Sequence, residues 1–432
     1  MPKTRIVALL VLVLSASLSA GQQARPVSTT SRAATANPVS SERFKRLDAV
    51  LKEHIDQNRI AGIVVLVLRD GKPIYERALG WRDKEANRAM TMDSVFRIAS
   101  QTKALTSAAI LALMEDGRLM PTMPVSRFIP AYAKTTVAVK GDSGPSTVPA
   151  RRPITIADLL THTAGISYGT DELVAAQYEA KGLGPAAGFG WYTADKDEET
   201  CVSMERLATL PFVSQPGDAY VYGYNTDILG CVVERASGMP LDKFIAERIT
   251  TPLGMKDTRF FLPAADRDRL ATVYSSNPDG TIVRAPDGAR GQGHYVDGPR
   301  KSFSGGAGLL STARDYARFL EMTRNGGMLD GVRVLSPRTV ALMTTNQSGT
   351  LHSTTGLGFG FGFETVDRYG AMGLSSVGAY RWGGAYGSNY LVDPDARMVL
   401  VYMIQQIPNR TDLGQVIPTL VYQALTEPPR TK

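Results

Sequence analysis

Two cysteines, at 201 and 231, and four histidines, at 54, 162, 294 and 352, are scattered through 432 residues without clustering. That scarcity leaves no group with metal-ligand spacing and allows at most one disulfide, so no metal or other cofactor is expected. Neither a G-x-x-x-x-G-K-[ST] nor a G-x-G-x-x-G phosphate loop occurs, which removes the usual signs of nucleotide binding. The net charge of +7 is dispersed among acids with no basic stripe, so nucleic acid is not an expected partner. The N-terminal apolar run, Ile6 to Leu14, is too short for a stable membrane span. Lys3 and Arg5 precede it and the small residues Ser15 to Gly21 follow, a pattern that predicts a signal peptide over 1–21 and export to the periplasm or medium. Gln22 to Ser40, rich in Ala, Ser, Thr and Pro, reads as a disordered linker. Cys201 and Cys231 could therefore meet oxidising conditions, although Cys231 falls in an apolar stretch that would equally suit a buried thiol.

What is present is concentrated in one octapeptide. Ser100 is the only serine followed three residues later by a lysine, Lys103, at the start of the apolar stretch Ala104 to Met114. A stretch of helix formers that is apolar or small on almost every face predicts a buried helix. Residues three apart share a helix face, so the amine can reach the hydroxyl and take its proton. The unpaired N–H groups of the same helix start are available to an oxyanion forming beside Ser100. The plain alternative makes Ser100 an N-cap and Lys103 a snorkelling side chain.

Two further segments favour chemistry. Gln215 to Gly230 carries a Pro-Gly turn and a tyrosine-rich loop, Tyr220-Val221-Tyr222-Gly223-Tyr224, that runs into a helix for which Asn225 is a natural N-cap. Arg381-Trp382-Gly383-Gly384-Ala385 joins two β-like stretches, and its paired glycines permit close backbone approach to a ligand. In this order along the chain, the three segments resemble the serine β-lactamase and penicillin-binding protein superfamily, most closely the family VIII carboxylesterases beside class C β-lactamases. Leu159 to Gly165 and Gly305 to Thr312 look familial too.

The resemblance covers roughly residues 42 to 426 and implies a serine hydrolase, a carboxylesterase, acting on a small-molecule ester. Position by position it makes Ser100 the nucleophile, Lys103 the motif lysine and Tyr222 the second-motif tyrosine, which stands eight residues before Gly230. It makes Trp382-Gly383-Gly384 the substrate-binding edge and the Ala385 N–H the second oxyanion donor. Here the chain departs from the β-lactamases, because no Lys-Thr-Gly occurs and Tyr224 stands where an amide-binding asparagine would. Arg381 and Asn225 are the side chains that could compensate. Both departures favour neutral esters, with β-lactam opening as a side activity. A dedicated β-lactamase or D-amino-acid peptidase is the enzymatic alternative, and an inert peptidoglycan- or partner-binding relative the alternative of another class.

A rival nucleophile is Ser167, in Gly165-Ile166-Ser167-Tyr168-Gly169. The motif fits the α/β-hydrolase elbow, but an elbow follows a strand, whereas Ser167 follows a short helix pattern opening at Thr155. His162 is read as a structural hydrogen-bonding residue.

The fold class expected is α/β, in the α+β sense: a β-lactamase/transpeptidase-like antiparallel sheet flanked by helices with an inserted helical lobe. The domain is placed at 41–428, its sheet lobe from about 41–95 and 300–428 and its helical lobe from about 96–299. An amphipathic helix over Ser41 to Asn58 precedes a hairpin of Gly62 to Arg69 and Pro73 to Leu79 around Asp70-Gly71. Strands return at Gly358 to Val366, Val377 to Trp382, Asn389 to Val392 and Met398 to Gln405, before a helix at about Leu413 to Leu425. Lys134 to Arg152, Tyr168 to Thr200 and Ser275 to Ser304 read as long loops around the cleft.

Overall fold

The computed structural model describes residues 39–141, 144–184 and 195–428. The expected signal peptide and nearly all of the linker lie outside the described residues. From Val39 onward the chain forms one compact unit.

Its framework is an eight-stranded antiparallel sheet in the order 357–359, 364–366, 380–383, 389–393, 398–403, 62–69, 72–83, 88–89. The two ends of the chain thus meet in the middle of one sheet, where Gly62–Arg69 pairs with Met398–Met403. Every position of Gly62–Arg69 is buried, because both faces are covered and strand side chains alternate between them. Val65 and Val67 pack with Phe44, Leu47 and Leu51 of helix Ser41–Asp56 and with Ile417 and Val421 of helix Leu413–Tyr422. Val64 and Leu66 pack on the other face with Phe319 and Leu320 of helix Ala313–Arg324 and with helix Thr102–Glu115. The latter is buried from Thr102 to Leu113, as an apolar run without a polar face requires.

Three expectations change. Gly358 to Val366 is two short strands, Leu357–Phe359 and Glu364–Val366, folded back at Gly362, whose φ is 100°. The loop at 134–152 contains a hairpin, Thr136–Gly141 with Gly144–Pro149, that at 168–200 contains a short helix, Ala175–Ala180, and that at 275–304 begins with a hairpin of Tyr274–Ser276 and Ile282–Arg284. Asn225 is the first residue of helix Asn225–Ser237 rather than its cap; Tyr224 precedes the helix, and its side chain makes no capping hydrogen bond. Thr155, by contrast, does cap its helix, in a reciprocal pair with Asp158.

Cys201 and Cys231 are joined in a disulfide with Cα atoms 5.0 Å apart, which ties helix Thr200–Leu207 to helix Asn225–Ser237. The bridge closes a loop across a sequence separation of 30. On the chain-entropy argument it stabilises the fold by roughly 3–4 kcal/mol. Thermal melting of Cys231→Ser, or of the reduced protein, should show a loss of this order.

Candidate active site

Ser100 sits in a short 3-10 turn, Ala99–Gln101, that opens directly into helix Thr102–Glu115. Ala99 before it has φ 47°, a left-handed backbone that non-glycine residues seldom adopt and that costs on the order of 1–3 kcal/mol. The turn presents Ser100 at the rim of the core, 7 % exposed, while Lys103 is 1 % exposed.

The Lys103 Nζ has three hydrogen-bond partners: Ser100 Oγ at 3.2 Å, Tyr168 Oη at 3.0 Å and the Gly306 carbonyl at 2.8 Å. None is a carboxylate. A carbonyl can only accept, so one N–H of Lys103 is committed to Gly306 whatever the state of the amine. The remaining two positions are shared between the serine and tyrosine hydroxyls. Gly306 is itself fixed from behind by Asp227, a buried acid on helix Asn225–Ser237 that accepts from the Gly306 N–H at 3.2 Å and from Ser304 Oγ at 2.6 Å.

Tyr222 enters the site by its ring. The Lys103 Nζ lies 4.7 Å from the ring centroid, and the Tyr222 hydroxyl accepts from Trp382 Nε1 at 3.3 Å. Tyr224 is buried and donates to the Leu183 carbonyl at 2.8 Å, so of the two flanking tyrosines only Tyr222 faces the lysine. His162 packs on Tyr222 with ring centroids 4.7 Å apart. Burial, followed by nearby Lys103 and His352, holds the His162 pKa well below the ordinary histidine value. The neutral ring accepts at Nδ1 from Asn225 Nδ2, 3.0 Å away, and works as a brace rather than an acid.

Trp382-Gly383-Gly384 lies on strand Tyr380–Gly383 and the turn after it. A Cβ on Gly384 would stand 2.4 Å from the Ile98 carbonyl oxygen, so only glycine lets this edge close on the nucleophile turn. The Gly384 N–H is spent on the Ser388 carbonyl at 2.8 Å. Ala385, next along, is exposed, and its N–H has no acceptor among the described residues.

The candidates to replace the missing cation and amide are engaged elsewhere. Arg381 alternates with Trp382 along its strand, and its Nε donates to Glu364 at 2.6 Å; Glu364 also bonds His352. Asn225 is buried, and its Nδ2, with two hydrogens to give, lies within hydrogen-bond distance of the Ile166 and Val221 carbonyls as well as of His162. Ser167 Oγ accepts from the Gly169 N–H at 3.0 Å, closing a turn, while its neighbour Tyr168 reaches the lysine. Tyr168 and Asp227 are the site residues that sequence reading missed, although both lie inside or beside segments singled out there.

The β-lactamase family model matches residues 47–416. Esterase EstB of Burkholderia gladioli is 35 % identical over 367 residues, 81 % of this chain and 86 % of that one. Lovastatin esterase of Penicillium rubens is 30 % identical over 389 residues, 84 % of this chain and 92 % of its own. Among solved structures, EstCE1, described as a hydrolase with promiscuous acyltransferase activity, superimposes with a TM-score of 0.76 at 27 % identity, covering 89 % of this chain and 98 % of that one. A match of this extent, over a fold whose first-turn serine and lysine are in hydrogen-bond contact, means that this chain belongs to the β-lactamase family.

Proposed function

We propose that this protein is a serine carboxylesterase working through a Ser100 acyl-enzyme. The observation that carries the reading is the Lys103 amine, held by Gly306 and presented to Ser100 Oγ, beside an edge where Trp382 replaces a substrate-binding cation. Ser100 Oγ attacks the ester carbonyl carbon as its proton passes to Lys103. The carbonyl π pair moves to oxygen, and the Ser100 and Ala385 N–H groups receive the oxyanion. Collapse breaks the bond to the alkoxy oxygen, which takes a proton delivered through Lys103 and Tyr222. Water then repeats the sequence against the acyl-enzyme and releases the acid.

An indole offers no charge to a substrate carboxylate, which supports neutral esters over β-lactams, with β-lactam opening as a minor activity. The basic and apolar pattern of residues 1–21, together with the disulfide, supports export to the periplasm or medium. The test compares kcat/KM for a short-chain p-nitrophenyl ester with that for a chromogenic cephalosporin, with Ser100→Ala as control. Ester cleavage is expected to be faster by about 100-fold or more, the scale at which an apolar site discriminates against an added polar group. Dominant cephalosporin cleavage would overturn the reading.

A further inference from the structure

The face of the sheet away from Trp382 holds a cavity of about 380 Å³. Arg381 and Trp382 point to opposite faces of their strand, and Arg381 shares its face with Leu391, its partner on the next strand. The cavity lies between that face and helix Leu413–Tyr422. Its walls are mostly apolar, with Leu357, Leu391 and Leu400 from the sheet, Met372 from a loop and Pro418 from the helix. Leu374, which also lines it, is 44 % exposed and puts an apolar side chain at the mouth.

One end is polar. Tyr402 lines the cavity and is 1 % exposed, yet its hydroxyl has no hydrogen-bond partner among the described residues. Asn389, paired with Tyr402 across neighbouring strands, stands beside that hydroxyl without closing a hydrogen bond to it. Arg381 lies near enough to act on the same group; its Nε is spent on Glu364 at 2.6 Å, and its Nη groups have no acceptor among the described residues. Tyr422, by contrast, already donates to Asp393 at 2.6 Å.

A buried hydroxyl left unanswered costs stability, so its presence at one end of a cavity points to a ligand that answers it. Among the described residues of the lining Arg381 is the one charged group, and the Glu364 carboxylate offsets it. An anion would find no unanswered cation here, and a cation no acid. Donors from Tyr402, Asn389 and Arg381, set at the end of an apolar chamber, fit an acceptor oxygen on a hydrocarbon body.

We infer that this cavity is a second ligand site, for an uncharged molecule that carries a carbonyl oxygen on an apolar body. The inference does not rest on the esterase reading, since none of Ser100, Lys103 and Tyr222 lines the cavity.

Gly414 gives the means of testing it. This glycine lines the cavity from the second residue of the helix, and beyond that helix a Cβ there would meet Tyr402 Oη alone, at an ordinary contact of 3.6 Å. A larger side chain can therefore enter the cavity without moving backbone. The experiment titrates the full chain with cyclohexyl methyl ketone, with the isosteric anion cyclohexanecarboxylate and with the cation cyclohexylmethylammonium, each followed by NMR. The ketone is expected to bind with a Kd of about 1 mM or tighter, the scale open to a ligand of its size. Either ion should bind more weakly by about 10-fold or more. Gly414→Leu, which fills the cavity, should weaken the ketone by about 10-fold or more. Tyr402→Phe, which removes the hydroxyl alone, should weaken it by about 3- to 10-fold. Thermal melting shows which variants are folded, and Tyr402→Phe decides the matter if Gly414→Leu is not. No binding at about 10 mM ketone, binding unchanged in either folded variant, or an ion bound as tightly as the ketone would overturn the proposal.

Discussion

Ser100→Ala should lower kcat/KM on a p-nitrophenyl ester by on the order of 10⁴-fold or more, the scale on which removing a catalytic nucleophile acts. The change deletes one oxygen at the rim of the core, whose hydrogen-bond partner among the described residues is the Lys103 amine. Thermal stability should therefore move by no more than about 1 kcal/mol. A large rate loss with an unchanged melt separates a nucleophile from a structural serine. Ser167→Ala supplies the contrast. Its hydroxyl closes a turn onto Gly169, so hydrolysis is expected to stay within about 10-fold of wild type. Mass spectrometry after a fluorophosphonate probe should place the adduct on the peptide containing Ser100. An adduct on the Ser167 peptide, with Ser100→Ala still active, would reverse the assignment.

Sequence reading succeeded where the relevant contact is local. Ser100 and Lys103 share one turn, so their spacing alone brings them together. The hairpin around Asp70-Gly71 is likewise set by its turn, and the terminal helices by one apolar face each. It failed where local pattern and tertiary context disagree. Gly358 to Phe363 alternates with period two, yet the alternation spans a reversal that only a positive φ at Gly362 reveals. In the hairpin at 136–149, the second strand is exposed throughout, so it carries no apolar face to signal it. Tyr168 reaches Lys103 because its loop is held by backbone bonds from Val213 to Gly165 and from Val221 to His162. No periodicity encodes contacts between loops so far apart in the chain.

The Lys103 amine is the part of the site whose removal should be nearly as damaging as loss of the serine. Lys103→Met is the informative variant, because it keeps most of the buried stem while deleting the nitrogen. The Gly306 carbonyl then loses its lysine donor, at a cost of about 1–3 kcal/mol. Circular dichroism and melting should still report a folded protein, while kcat falls by about 10³-fold, within the range for loss of general acid–base catalysis. The two tyrosines divide the remaining work, and their geometry distinguishes them. Tyr168 meets the amine through its hydroxyl, whereas Tyr222 lies against it by its ring and offers its hydroxyl toward Trp382 at the substrate edge. If Tyr222 hands the proton to the leaving alcohol, Tyr222→Phe should reduce kcat by about 10²-fold or more on alkyl esters. It should matter much less on p-nitrophenyl esters, whose leaving group departs without a proton. Tyr168→Phe, which removes only a partner of the amine, should lower both classes of ester by a similar and smaller factor. The opposite pattern, with the leaving-group dependence following Tyr168, would move the proton relay from Tyr222 to Tyr168 and leave Tyr222 as a wall of the site.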